Sequence, residues 1–235
     1  MTQAFFTLHR DLPREGPGTA EDVRWALSIV GRPARVIDAA CGPGADTVTL
    51  AEELPEARIE AVDRTTHFVA EARTRVARFG GRVSVREGDM RELTGPADLI
   101  WCAGALYFLG IETALPLWRR ALAPGGKVAF SEPVFVTDPP SEAARAFWAD
   151  YPGVGGAASI ARRVEEAEYR AVATRTLTGQ PWADYYLPME ARIERLRPGA
   201  SGALAQVLDA AEREIALWRA APDEVAYLLA VTEPA

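Results

Sequence analysis

The sequence is short of several things, and each shortage excludes a class of protein. It has two cysteines in 235 residues, Cys41 and Cys102. They stand far apart and show no metal-ligand spacing, which argues against a disulfide scaffold or a zinc site. No acidic cluster has metal spacing either, so no metal is expected and a magnesium-dependent mechanism is disfavoured. No apolar run is long enough to cross a bilayer, so no membrane association is expected. The first ten residues are mixed and lead into no apolar core, unlike a secretory signal. Free thiols and the lack of a leader give a cytoplasmic expectation. Basic residues are not in excess: 26 Lys and Arg against 33 Asp and Glu leave a net charge of -7. Such a surface repels phosphate backbones, so the expected partner is a small molecule and not nucleic acid. There is no internal repeat and no low-complexity linker.

What is present is a chain that is 49% hydrophobic, enough for a sizeable core, organised around Val36-Ile37-Asp38-Ala39-Ala40-Cys41-Gly42-Pro43-Gly44-Ala45-Asp46. An apolar run ends in an acid, a small-residue turn follows, and a helical pattern begins. Gly42 and Gly44 allow close backbone approach to a ligand. A dinucleotide fingerprint does not fit: Ala40, Gly42 and Ala45 take its glycine positions, and Gly44 is out of phase. A P-loop is excluded by the lack of Gly-Lys-Ser/Thr.

Strands and helices then alternate. Strand 1 is predicted at 35–39, helix A at 45–54, strand 2 at 58–62, helix B at 66–79 and strand 3 at 82–86. Strand 4 follows at 98–102, a helix within 111–122, a turn at 123–126 and strand 5 at 127–132. This is an α/β pattern with parallel pairing. Upstream, Thr19 and Asp22 predict a capping box opening a helix to about Val30. Downstream, helices are predicted at 141–150, 160–169 and 203–219, and strands at 171–177 and 224–232. One domain is expected over 1–235, with a lid segment at 1–30, a core at 34–135 and a helical cap insert at 179–224. The insert holds Trp182, Tyr185 and Tyr186. The stripe Leu204, Leu208, Ala211, Ile215 and Trp218 reads as core or as a subunit interface, so monomer and homodimer both stay open.

Asp63 ends strand 2, where a carboxylate can accept both hydroxyls of a ribose; a helix-cap acid is the alternative. Asp89 follows strand 3 and can accept from an adenine amine, with Met90 flanking the ring. Trp101 to Tyr107 closes strand 4 beside strand 1. Arg14, held between Pro13 and Glu15-Gly16, can grip a carboxylate of cofactor or substrate, or be a surface arginine.

The pattern Asp38-x-x-Cys41-Gly42-x-Gly44 resembles motif I of the class I S-adenosylmethionine (SAM) methyltransferases. Asp63, Gly88–Met90, 97–107 and 122–126 fall in that family's order. Arg14-x-Gly16-Pro17-Gly18 and Trp101-x-x-Gly104-Ala105-x-Tyr107 look like a bacterial small-molecule branch of it. The resemblance implies SAM as cofactor and methyl transfer to a small acceptor. It also implies a Rossmann-like seven-stranded sheet of order 3-2-1-4-5-7-6, strand 7 antiparallel, with helices on both faces and a helical cap. Cofactor-binding residues would be Arg14, Asp38, Ala40, Cys41, Gly42, Gly44, Asp63, Arg64, Asp89, Met90 and Ala103. Ala40 departs from the family, which has a glycine there. Candidate catalytic groups are Tyr107, Glu132 and His9; His67 reads as surface or capping. Both Cys41 and Cys102 are expected beside the cofactor. Two rivals are an NAD-dependent oxidoreductase and a catalytically silent SAM-binding sensor or partner subunit.

Overall fold

The computed structural model describes residues 3–235. Its centre is a sheet of order β3-β2-β1-β4-β5-β8-β7. The strands are β1 (Arg35–Ala39), β2 (Arg58–Asp63), β3 (Val83–Glu87), β4 (Ala97–Cys102), β5 (Leu122–Phe135), β7 (Tyr169–Leu177) and β8 (Val225–Pro234). A two-residue strand, β6 (Gly155–Gly156), pairs with the end of β5. The first five strands run parallel, and β8 lies antiparallel between β5 and β7. Counting the long strands alone, this is the expected order.

Alternation divides the core between the two faces of the sheet. Val36, Leu99, Trp101 and Ala129 face one side, under α2 (Ala20–Val30) and α3 (Ala45–Glu53). Ile37, Ala39, Ile100, Cys102 and Phe130 face the other, under α5 (Ile111–Arg119) and α7 (Ala157–Glu166). Trp118 of α5 is wholly buried. Such burial contributes roughly 2–3 kcal/mol, and its indole N–H donates to Met90 O at 2.7 Å. The capping box at α2 is present, with the Thr19 and Asp22 side chains each accepting from the other's backbone N–H.

Three differences from the sequence reading have physical causes. The turn expected at 123–126 is absorbed into β5: pairing jumps from Ala97↔Leu122 to Leu99↔Lys127, so the extra residues bulge and the strand continues. Helix B stops at Val76 (α4, Thr66–Val76) and passes into a 3-10 stretch, Ala77–Arg82, that contains Gly80 at φ 62°. An unforeseen helix, α8 (Gln180–Leu196), fills the start of the insert. Pro181 occupies its first turn, where a missing N–H costs nothing, and Pro188 lies within it, which masked the pattern. The helix expected at 203–219 is present as α9 (Gly202–Ala220), which packs on α1 (Gln3–His9), α6 (Glu142–Phe147) and α8. Leu208, Ile215 and Trp218 of its stripe are buried by this same chain.

Candidate functional site

One cavity of about 280 Å³ opens at the carboxyl ends of β1, β2, β3 and β4. The backbone explains why it forms there. After β1 the chain turns through Ala40 (φ 58°), Gly42 (φ 54°) and Gly44 (φ 89°) before α3 begins. A Cβ on Gly44 would come within 3.0 Å of the Ala72 Cβ, so this position takes glycine for space as well as for its dihedral. The turn is tied to β2: Cys41 N–H donates to Val62 O at 3.0 Å. Gly42 N–H donates to Asp63 Oδ2 at 2.9 Å, and Thr65 N–H to Asp63 Oδ1 at 2.8 Å. Asp63 therefore holds the loop and caps the backbone before α4, while its remaining lone pairs face the cavity it lines.

Asp38 is buried at the end of β1 and accepts from Thr47 Oγ1 at 2.5 Å. Burial pushes its carboxyl up to about 8, against the opposing pull of the Thr47 hydrogen bond. Asp89 Oδ1 accepts from Arg91 N–H at 2.8 Å and so starts the 3-10 turn Met90–Glu92. That turn is pinned from below by Trp118. Ala103 lines the wall beyond β4, and Gly104 N–H donates to Ser131 Oγ at 2.7 Å.

Asp46 was not singled out from the sequence. One of its oxygens accepts from Trp101 Nε1 at 3.1 Å and the other from Arg14 Nη2 at 2.8 Å. Arg14 also donates from Nε to Gly16 O at 2.6 Å, and from Nη1 to Gly18 O. The guanidinium thus folds its own loop over the cavity, and the Asp46 link is one that only tertiary contact reveals. Phe5, Glu15, Phe68 and Phe108 also line the cavity and carried no sequence signal beyond being apolar or acidic.

The cavity brings together Arg14, Asp38, Ala40, Cys41, Gly42, Asp63, Arg64, Asp89, Met90 and Ala103, the expected cofactor set except Gly44, which supports the turn from behind. The three expected catalytic groups are not among the lining residues. Tyr107 sits in an aromatic cluster: its hydroxyl accepts from Tyr227 at 3.3 Å, and burial pushes its phenol well up. Glu132 is buried on β5 and pairs with Arg163 Nη1 at 3.1 Å. Burial raises its carboxyl to about 7, with Arg163 opposing the rise. His9 lies just behind the wall, stacked on Phe5 at 3.9 Å. His67 is half-buried, 3.0 Å from Glu71 Oε1. Cys41 lines the cavity, but Cys102 does not: it points into the core under α5 and is fully enclosed. Neighbouring strand residues face opposite sides, and Trp101 takes the cavity side. The aromatic insert is also displaced from expectation. Trp182 and Tyr186 are core residues, joined to Tyr227 and Trp218 by ring contacts. Among the described residues no group of three or more His, Cys, Asp or Glu is placed to hold a metal ion. No helix among them is long and apolar enough to cross a membrane.

Comparison with known proteins agrees with this geometry. A family profile described as a methyltransferase domain matches residues 36–126. The trans-aconitate 2-methyltransferase of Streptomyces avermitilis is 39% identical over 106 residues, 43% of this chain and 39% of that protein. The enzyme of the same description from Methylobacterium nodulans is 35% identical over 127 residues, 51% of this chain and 48% of its own. The chain thus spans less than half the length of these curated relatives. A SAM-dependent methyltransferase from Geobacter sulfurreducens, crystallised with S-adenosyl-L-homocysteine, superposes with a TM-score of 0.85 at 20% identity. It covers 100% of this chain and 99% of that one.

Proposed function

We propose that this chain, whose residues 36–126 match a methyltransferase-domain profile, is a class I SAM-dependent methyltransferase that transfers a methyl group from SAM to a small-molecule acceptor. One observation carries the reading: acids at the ends of β1, β2 and β3 (Asp38, Asp63 and Asp89) converge with Ala103 on one cavity.

The donor set fits SAM. Asp63 offers two carboxylate oxygens for ribose hydroxyls. Asp89 can accept from the adenine amine, with Met90 against the ring. The turn Ala40–Gly42 leaves backbone polar groups open to the methionine part, and Arg14 stands where its carboxylate end would reach. When bound, SAM supplies an electrophilic methyl on a sulfonium. The chain's own residues then have three tasks: to hold the sulfur, to align the acceptor and to keep water out. The helix α1 and the loop carrying Arg14 serve as a lid over the cavity, and α8 and α9 pack against α1.

Calorimetric titration tests this. SAM should bind at micromolar or lower concentration, NAD should not, and Asp63→Ala should abolish the SAM heat. Binding of NAD in place of SAM would overturn the reading.

A further inference from the structure

The connection from β3 to β4 is short. Residues 88–96 hold only the 3-10 turn Met90–Glu92, whereas a parallel crossover normally takes a dozen residues or more and includes a helix. Among the described residues, no crossover helix therefore covers the amino ends of β1, β2 and β3 on the face opposite α3 and α4. A cleft of about 270 Å³ lies there, between these strands and residues 94–97.

Alternation puts basic side chains into it. Val36, Ile59 and Val83 belong to the core under α3 and α4, so Arg35, Arg58 and Ser84, each one position away, take the opposite face. Arg35 and Arg58 are direct register partners on β1 and β2, which sets their backbones about 4.8 Å apart. Both are exposed and line the cleft, and neither guanidinium has a hydrogen bond or ion pair among the described residues. The neighbouring acids are committed elsewhere. Glu60 pairs with Arg86 Nε at 2.6 Å. Asp98 Oδ2 accepts from the backbone N–H groups of Ala34 and Arg35 at 2.9 and 2.8 Å. Arg82, also on the wall, turns to the end of α3 and donates to Leu54 O and Ala51 O. Ser84 and Thr94 add two hydroxyls with no partner among the described residues. Like charges directly opposite on paired strands are destabilising. This chain, with 33 acidic residues against 26 basic ones, nonetheless leaves that pair uncompensated.

We infer that this cleft binds the phosphate group of a small molecule, gripped by Arg35 and Arg58. Two planar guanidiniums on adjacent strands each offer a fork of N–H donors to a tetrahedral dianion. The hydroxyls of Ser84 and Thr94 can donate to its remaining oxygens. The one acid on the wall, Glu60, is already paired with Arg86, so the set suits a dianion better than an amine. The cleft lies at the amino ends of β1 and β2, at the other end of these strands from Asp38 and Asp63. It is thus separate from the cavity assigned to SAM, and the inference is independent of methyl transfer.

The test is calorimetric titration of the full chain with inorganic phosphate and with glycerol 3-phosphate. The pH is one at which phosphate is a dianion, and sodium chloride keeps the ionic strength constant. At least one of the two should saturate the wild type with a Kd of about 1 mM or below. Tighter binding of the ester would identify a carried phosphate, and tighter binding of the free ion would identify phosphate itself. Arg35→Gln and Arg58→Gln should each weaken binding about tenfold. Arg35→Lys keeps the charge but loses the fork, and should fall between the wild type and Arg35→Gln. Failure of both ligands to saturate the wild type overturns the inference. An equal response to acetate also overturns it, because charge screening would then account for the heat. So does unchanged affinity in Arg35→Gln and Arg58→Gln, which would place the anion elsewhere, as at Arg64 in the first cavity.

Discussion

Arg14 and Asp46 meet at 2.8 Å, and their side chains are only 12% and 13% exposed. The pair joins the loop before α2 to the first turn of α3, so the loop carrying Arg14 is tied to the helix that follows the glycine turn. Because the pair is largely screened from water, removing one partner leaves the other uncompensated, which costs more than breaking a surface ion pair.

Breaking it should be costly. Asp46→Ala removes acceptors for both Arg14 and Trp101 and should destabilise the protein by about 2–4 kcal/mol in urea titration. Arg14→Lys should not restore wild-type behaviour, since a single ammonium cannot serve Gly16 O, Gly18 O and Asp46 together. Equal stability of Arg14→Lys and wild type would refute the fork geometry.

Ala40 has φ 58°, a conformation that glycine adopts without strain. Ala40→Gly should therefore raise stability by about 0.5–1 kcal/mol. The melting temperature should rise by about 1–4 °C. A lower melting temperature would mean that the alanine methyl contributes packing that outweighs its backbone strain.

Cysteine labelling separates the two thiols. Cys41 lines the cavity and Cys102 is wholly enclosed. Mass spectrometry of the native protein after iodoacetamide should find slow modification at Cys41 alone. The slowness follows from burial, which pushes the Cys41 thiol up and keeps thiolate scarce. S-adenosylhomocysteine should protect Cys41; equal rates with and without it would place the cofactor elsewhere.

Glu132 gives a pH signature. Burial raises its carboxyl from 4.5 to about 7 in the folded protein. The folded state then binds the proton more tightly than the unfolded chain, so this contribution is fully present below about pH 4.5. It is lost as pH rises through about 7, and amounts to on the order of 3 kcal/mol. Urea titrations across that window should show wild-type stability falling more steeply with pH than that of Glu132→Gln. Parallel curves would contradict the raised carboxyl.

The core of the fold was legible because its signals are local. An apolar run ending in an acid and a glycine turn marks a strand and the loop after it, and Asp38, Asp63 and Asp89 each stand where such a run stops. The ends of parallel strands lie on one edge, so the three acids had to converge once the strand order was known. The second half was less legible. Two prolines disguised α8, and the insert's aromatic residues looked available for a substrate when they are needed to bury α8 against β8.

What the sequence determined by itself is which residues end the strands, because hydrophobic periodicity and turn chemistry act over a few positions. What only the tertiary structure decided is which side chains face the cavity. Trp101 and not Cys102 turns toward it, since adjacent strand residues take opposite faces. Glu132 and Tyr107 are occupied by Arg163 and Tyr227, which come from distant elements. Glu15 reaches the cavity wall because Arg14 folds its loop over the turn and bonds Asp46 in the first turn of α3, a contact between segments that periodicity alone does not encode.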